Sequence, residues 1–248
     1  MKPAWTIAKR EVFAYFVSPI AYVVTVVWLI WCGLQYYLLA GLYAGAPSLS
    51  ASSNPLSAFF GGSVLFFIPL LVFAPVLTMR LLAEERHTGT LEPLLTAPIT
   101  TAHVVLGKYL AALIFWIALW IPTGLYVWIT RQFGNVDMGT VLSSYLGVIG
   151  IGTYYMAIGL AMSALAKNQI VAALLTFMIL AGLFAVGLLS FIESFAAYRD
   201  AIDYISLWGH MQAFSKGIVD SRFVVFDLSV AVLFVYFAWR VLEGRRWQ

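Results

Sequence analysis

The sequence predicts an all-α, polytopic membrane protein with six transmembrane helices, an N-terminal amphipathic interfacial helix and a short cytoplasmic helix between the second and third spans. Three observations predict it. Of 248 residues 62% are hydrophobic and only 10% charged, with a mean hydropathy of +0.93, which leaves too little polar surface to clothe a water-facing globule. Several apolar runs reach the roughly 20 residues that a helix needs to cross about 30 Å of hydrocarbon. Those runs are continuous Leu, Ile, Val and Phe rather than the short alternating strands of a barrel.

At the N-terminus, Trp5, Ala8, Val12 and Phe16 recur at helical spacing within residues 4–16 while Lys9 and Arg10 point elsewhere. This predicts an amphipathic helix in the inner headgroup layer, ended by Ser18-Pro19, whose plainest role is to anchor and orient the chain. Lys2, Lys9 and Arg10 before an apolar stretch, with Ala44-Gly45-Ala46 after it, imitate a secretory signal. The stretch exceeds the roughly 7 to 15 residues of a signal core, and Pro47 should hinder cleavage, so the first span is expected in the mature protein.

The spans run from about Ile20 to Leu42, Ala58 to Met79, Val104 to Thr130, Val141 to Leu165, Gln169 to Phe191 and Phe223 to Leu242. Pro69 and Pro75 in the second span and Pro122 in the third predict kinks, tolerated where neighbours satisfy the freed carbonyls. Gly147, Gly150, Gly152, Gly159 and Ser163 in the fourth, with Ala157 and Ala161, predict close packing inside the subunit rather than a dimer seam. Lys167-Asn168-Gln169 reads as a tight turn. The single cysteine, Cys32, excludes an intramolecular disulfide and a cysteine-based metal site.

Threading six spans divides the basic residues ten against four. Lys2, Lys9, Arg10, Arg80, Arg86, Lys108, Lys167, Arg240, Arg245 and Arg246 fall on one side, and Arg131, Arg199, Lys216 and Arg222 on the other, which predicts both termini in the cytoplasm. Asp137, Glu193, Asp200, Asp203, Asp220 and Asp227 then fall outside. The net charge of +3 reports this topology, and no feature of the chain points to a nucleic acid.

The densest polar patch lies in the loop after the second span, residues 80–101. Thr90 can cap a short helix, Glu92 complements its positive end, Pro93 fits the first turn and Pro98 stops it. Leu91, Leu94 and Leu95 share one face, and Gly89 relieves the turn before it. Such a stub suits a knob in a partner's groove; an interfacial hairpin with its leucines in lipid is the alternative, and composition alone leaves both open.

The outer segment 192–222 is too long for a minimal turn and too apolar for a linker. Phe195, Tyr198, Ile202, Ile205, Trp208 and Phe214, mixed with acidic residues, suggest short helices on or partly inside the outer leaflet, or an aromatic belt. His210 lacks metal-ligand spacing and reads as a surface or hydrogen-bonded histidine. Trp28, Trp31, Tyr36 and Tyr37 suit either an interfacial belt or the lining of a lipid route.

No nucleotide-binding loop is present: the one Gly-Lys pair, Gly107-Lys108, is followed by Tyr109 and lacks the earlier glycine. No ionisable residue falls near the middle of a predicted span, as ion-coupled transport usually requires. His87, His103 and His210 fall on two sides of the bilayer, against a membrane hydrolase. A channel-like or scaffold subunit working without an ATPase fits these absences as well as a transporter subunit does.

The series Glu84-Glu85-Arg86, Gly89-Thr90, Glu92, Leu94-Leu95 and Pro98-Ile99 resembles the signature cytoplasmic loop of ABC-2 type transporter permeases. The opening Trp5-Thr6-Ile7-Ala8-Lys9-Arg10-Glu11, with Ser18-Pro19-Ile20-Ala21-Tyr22, Leu106-Gly107-Lys108-Tyr109 and Ala166-Lys167-Asn168-Gln169, is similar to the gliding-motility-type branch. The resemblance spans nearly the whole chain and is loosest from Glu193 to Arg222; Pro93 departs from the pattern.

It implies a single transmembrane domain over residues 1–248, in the bacterial cytoplasmic (inner) membrane, exporting substrate by alternating access. Its partners would be a P-loop ATPase subunit, a second permease subunit, the same or homologous, membrane lipid and an accessory outer-side protein. The chain would bind no cofactor directly, ATP and Mg²⁺ being held by the ATPase. Glu84, Glu85, Arg86, Gly89, Thr90, Glu92, Leu94, Leu95 and Pro98 would form the coupling region, including the coupling helix. The N-terminal helix, with Trp5, Lys9, Arg10 and Phe16, would be a gate, and re-entrant helices would close the outer end.

Overall fold

Backbone amides and carbonyls find no water in hydrocarbon, so each apolar run must satisfy them internally, and a helix does so within one segment. The computed structural model of the chain describes residues 2–45, 55–90, 100–192 and 199–245, and every regular element among these is helical. An N-terminal helix α1 (Lys2–Val17) is followed after one residue by α2 (Pro19–Gly45). The second span combines α3 (Pro55–Gly62), wound partly as a π-helix, with α4 (Val64–Thr78). A short α5 (Ala83–His87) precedes the third span α6 (Thr101–Phe133), then come α7 (Met138–Leu165) and α8 (Gln169–Leu188). Two short helices, α9 (Arg199–Ile205) and α10 (Leu207–Ser215), precede the last span α11 (Ser221–Arg245). Among the described residues five helices are long and apolar enough to cross a membrane, and the bent pair α3–α4, taken as one span, brings the number to six. The chain is an all-α polytopic membrane protein, with spans where hydropathy placed them.

α7 is the central pillar. In its most apolar window 78% of the residues are buried, against 17% in α11, the helix it packs against most extensively. Its glycines make that packing possible within the subunit: a Cβ on Gly147 would come within 2.8 Å of Met211 and Phe214 of α10, and one on Gly152 or Gly159 would run into Trp116 or Thr78. The ends of the pillar are fixed locally. Asp137 caps α7 by accepting from Gly139 N at 3.0 Å and Thr140 N at 3.2 Å, and Asn168 caps α8 through Val171 N at 2.9 Å. The Thr140 hydroxyl and these amides hold the Asp137 carboxyl below the usual carboxylate range.

The second span bends by 43°, at Ser63 rather than at either of its prolines. Gly61 has φ 145° there, and a Cβ on it would lie 2.7 Å from Met211 Cβ, so only glycine serves. Gln35 of α2 donates to the Phe59 carbonyl in this loosened segment at 3.0 Å. Pro69 and Pro75 lie inside an uninterrupted α4. Pro69 frees the carbonyl of Leu65, and Trp31 Nε1 donates to it at 3.2 Å, which is why that proline causes no break. Pro122 does interrupt α6, as a single 3₁₀ turn over Ile121–Thr123.

Trp28 and Tyr36 of α2 pack into the core. Trp28 is 2% exposed, donates to the Leu119 carbonyl at 3.1 Å and meets Trp120 edge-on at 4.9 Å. Tyr36 stacks on Tyr126 at 4.9 Å and bonds Thr130, while Tyr37 faces outward.

α1 packs a narrow face onto the bundle. Ala4, Ile7 and Ala8 are buried, but Trp5 and Phe16 are 51% and 45% exposed, and Lys9 and Arg10 also face outward. The cause lies across the contact: Gly107 of α6 leaves room for Ile7, whose Cβ would be 2.8 Å from a Cβ at that glycine, and only small side chains on α1 fit so close an approach.

Glycine substitutions should separate these roles. Gly152→Ala should push the Trp116 indole away from the Val148 carbonyl it bonds at 3.1 Å, costing about 2 kcal/mol in detergent thermal melts. Gly182→Ala, with nothing within 4 Å, should be neutral or stabilising by up to about 1 kcal/mol.

Candidate functional site

The polar stretch after the second span folds against three other elements at one end of the bundle. α4 ends in a turn in which Met79 N bonds Pro75 O at 2.9 Å and Leu81 N bonds Thr78 O at 3.1 Å. The next helix, α5, has no capping side chain of its own. Ser163 of α7 supplies the cap: its Oγ accepts from Leu82 N and Ala83 N, both at 3.0 Å, and donates to Met79 O at 3.2 Å.

Each charged residue of Glu84-Glu85-Arg86 takes a separate direction. Arg86 turns back to α7, donating to the Leu165 carbonyl at 3.2 Å and the Ala166 carbonyl at 2.9 Å, where the helix end gathers partial negative charge. Arg245 from the end of α11 bonds the same Leu165 carbonyl at 3.2 Å. Glu84 faces outward, 3.9 Å from Arg80. Glu85 turns inward to Lys108 of α6, at 2.9 Å.

Lys108 is the centre of this arrangement. It is 2% exposed, and its ammonium also lies 3.2 Å from Glu11 of α1. One buried cation therefore joins α1, the loop after the second span and the third span. Burial raises the Glu85 carboxyl above the 4.5 of an ordinary glutamate although Lys108 pulls it down, since its Oε2 is enclosed without a hydrogen-bond partner. Tyr15 adds a neutral link from α1, donating to the Leu77 carbonyl at 2.8 Å, and burial with the nearby Glu11 charge raises its phenol.

Beyond α5 the chain turns outward. Gly89 adopts φ 71° in open space, Thr88 bonds Glu84 O through its amide and its hydroxyl, both at 2.9 Å, and the Thr90 hydroxyl meets Thr88 at 2.9 Å. The structure thus brings Glu84, Glu85, Arg86, Gly89 and Thr90 together. Glu92, Leu94, Leu95 and Pro98, with the short helix and leucine face expected there, lie outside the described residues.

Sequence reasoning missed Lys108, Glu11, Tyr15 and Ser163. Lys108 read as a topological charge and Gly107 only as part of a failed nucleotide motif. The available signal was the lysine's place two turns into a long apolar helix, where a charge requires a partner.

A second polar cluster occupies the other end of the bundle, and Asp227, threaded outside by sequence, belongs to it. Asp227 lies inside α11 and is 1% exposed, as is His210 of α10, whose Nδ1 is 3.2 Å from Asp227 Oδ1. His210 Nε2 lies 2.8 Å from the Tyr204 carbonyl, which can only accept, so that nitrogen carries a proton. The contact with Asp227 then needs one more proton, on the imidazole or on the carboxyl. Phe223 stacks on the ring at 4.3 Å, and Gly150 leaves space for Oδ2, which a Cβ would approach to 2.7 Å.

A family model described as ABC-2 family transporter protein matches residues 5–239. Among curated proteins, none matches the chain.

Removing the Lys108 charge tests the ion cluster. Lys108→Met leaves two carboxylates facing each other and should cost about 3 kcal/mol, with α1 becoming susceptible to limited proteolysis; Lys108→Arg should retain most of the stability. The sign with pH follows from the raised Glu85 carboxyl: a folded-state value above the unfolded one contributes stability at low pH and loses it as pH rises through that value. Without Lys108 to lower it, Glu85 takes a proton earlier on acidification, so the Lys108→Met deficit should shrink from about pH 8 to about pH 5 in thermal melts.

Proposed function

This chain belongs to the ABC-2 family of transporter proteins, and from that membership we propose that it is the permease subunit of an ATP-driven exporter whose energy comes from a separate P-loop ATPase. The family comprises membrane transport subunits that are not themselves catalytic, and the chain is accordingly not an enzyme. ATP and Mg²⁺ are bound by the ATPase. A second permease subunit, identical or homologous, completes the pathway.

The observation that carries this reading is the Lys108 cluster. A loop meant to receive force from a soluble partner must be tied to the elements it moves, and this one is tied at its root to α1, α6 and α7. We assign residues 91–98 to the coupling helix, with Leu94 and Leu95 seated in a cleft of the ATPase. ATP binding draws the two ATPases together, the coupling helices follow, and Glu85 and Arg86 pass the displacement to α1 and α7. Two permease subunits then change their mutual tilt and open a path outward. α1 serves as the gate, its exposed Trp5 and Phe16 resting in the headgroup layer with Lys9 and Arg10.

The basic residues favour cytoplasmic termini in a bacterial inner membrane. Within the family, the opening segment and the Leu-Gly-Lys-Tyr run favour the gliding-motility-type branch, a label for sequence kinship rather than for a gliding cell.

Gentle extraction of the C-terminally tagged protein from its native membrane should co-purify a stoichiometric P-loop ATPase, identified by mass spectrometry and assayed for hydrolysis. Its absence, with the isolated subunit still conducting or assembling, would instead make the chain a channel or scaffold. Replacing Leu94 and Leu95 together with Asp should abolish stimulated ATPase activity while membrane insertion stays intact; surviving stimulation would remove the coupling assignment.

A further inference from the structure

On the side of α1 that faces the first span lies a cleft of about 260 Å³, walled by α1, the start of α2, the end of α4 and Phe115 of α6. Arg80 lines it. Its Nε is buried without a hydrogen-bond partner, and Glu84, at 3.9 Å, is too distant to accept one. Arg86 and Arg245 at the same end donate to carbonyls and Lys108 has two carboxylates, whereas the described residues give the Arg80 guanidinium no hydrogen bond at all. A guanidinium carries five donors in a planar fork matched to phosphate oxygens, and leaving it partly buried and unmet is costly.

The surroundings define the ligand. Glu84 lines the cleft beside Arg80, while Glu11 there is already held by Lys108 and Arg10, so a purely anionic group would meet the Glu84 carboxylate next to the guanidinium. A headgroup with an amine next to its phosphate meets both signs. The rest of the lining includes the apolar side chains of Val24, Val76, Leu77 and Phe115. Val17 and Val23, 62% and 61% exposed, flank the junction of α1 and α2 beside it, a surface suited to hydrocarbon rather than water.

We propose that this cleft is a binding site for a membrane phospholipid of the phosphoethanolamine class, with the phosphate on Arg80, the ammonium on Glu84 and the acyl chains along Val24, Val76 and Phe115. The site does not depend on the transport reading, which fixes only the leaflet from which the lipid comes.

The full-length protein, reconstituted in nanodiscs of equimolar phosphatidylethanolamine and phosphatidylglycerol and then released for native mass spectrometry, tests it. The wild type should retain phosphatidylethanolamine in preference. Arg80→Gln should lower that occupancy about tenfold, the loss expected for one charge-assisted contact pair, and Glu84→Gln should shift preference towards phosphatidylglycerol. Ala14→Trp, which fills the cleft while Arg80 stays, should also expel the lipid, so that agreement between two unlike variants of unchanged helicity separates loss of the site from misfolding. Equal occupancy in wild type and Arg80→Gln, or a wild-type preference for phosphatidylglycerol, would overturn the proposal. So would displacement by glycerophosphoethanolamine or inorganic phosphate, which would assign Arg80 to a soluble phosphate compound.

Discussion

An ammonium group 2% exposed within a bundle that lipid surrounds keeps its charge only if carboxylates come to it, and here they come from two different elements. Glu11 fixes the rotation of α1 about its axis, so that Ala4 and Ile7 meet Gly107, Ala8 is buried beside them and the bulkier Trp5, Phe13 and Phe16 are left facing outward. Glu85 fixes α5, and with it the point at which the chain departs towards residues 91–99. The pairing is selective as well as attractive: only the orientation that delivers both carboxylates leaves no bare charge at the end of the third span. A hydrophobic contact of the same area would hold α1 to α6 without defining that rotation, because apolar attraction is non-directional.

The same logic extends to neutral groups, through side chains that complete carbonyls and amides left open where helices bend or end. Trp31 covers the carbonyl that Pro69 frees, Gln35 reaches the Phe59 carbonyl beside Gly61, and Ser163 supplies the cap that α5 lacks. Each joins a span to a separate element, so the irregularity that needs it also specifies which elements lie together. Lipid tails are as apolar as leucine and supply little drive for helix association. In this chain the deviations from ideal helix supply much of the specificity.

Spans and turns were legible in the sequence because they depend on local quantities. Hydropathy set the six runs, and the glycines of α7 marked a close-packed face that proves to be internal. Two features depend on a distant partner and were not legible in the sequence. The buried face of α1 carries an acid, Glu11, which lowers its apparent hydrophobicity until Lys108 is seen opposite it. Asp227, which threading puts on the outer side, is buried beside His210 of α10, a pairing that its own stretch of sequence does not announce. The prolines of the second span predict its kinks, but the carbonyl that Pro69 frees has a donor in Trp31, while the break falls at Ser63 beside Gly61, which is less conspicuous in sequence.

The two polar clusters lie at opposite ends of the bundle, and α7 touches both. Ser163 and the carbonyls of Leu165 and Ala166 receive the loop root, while Gly147 and Gly150 receive α10 and the Asp227 carboxylate. These positions are 13 residues or more apart on one uninterrupted helix, about 20 Å at 1.5 Å per residue. A helix so extensively buried is held along its length by its neighbours, so on the transport reading proposed above a displacement at Ser163 would reach Gly150 as a rigid-body movement. The outer end has a joint to receive it, since α10 packs on Gly147 and its His210 is tied to α11. Asp227 of α11 fills the space at Gly150 and His210 ties α10 to that same helix, so on the transport reading proposed above a tilt of α7 would act on α10 and α11 together.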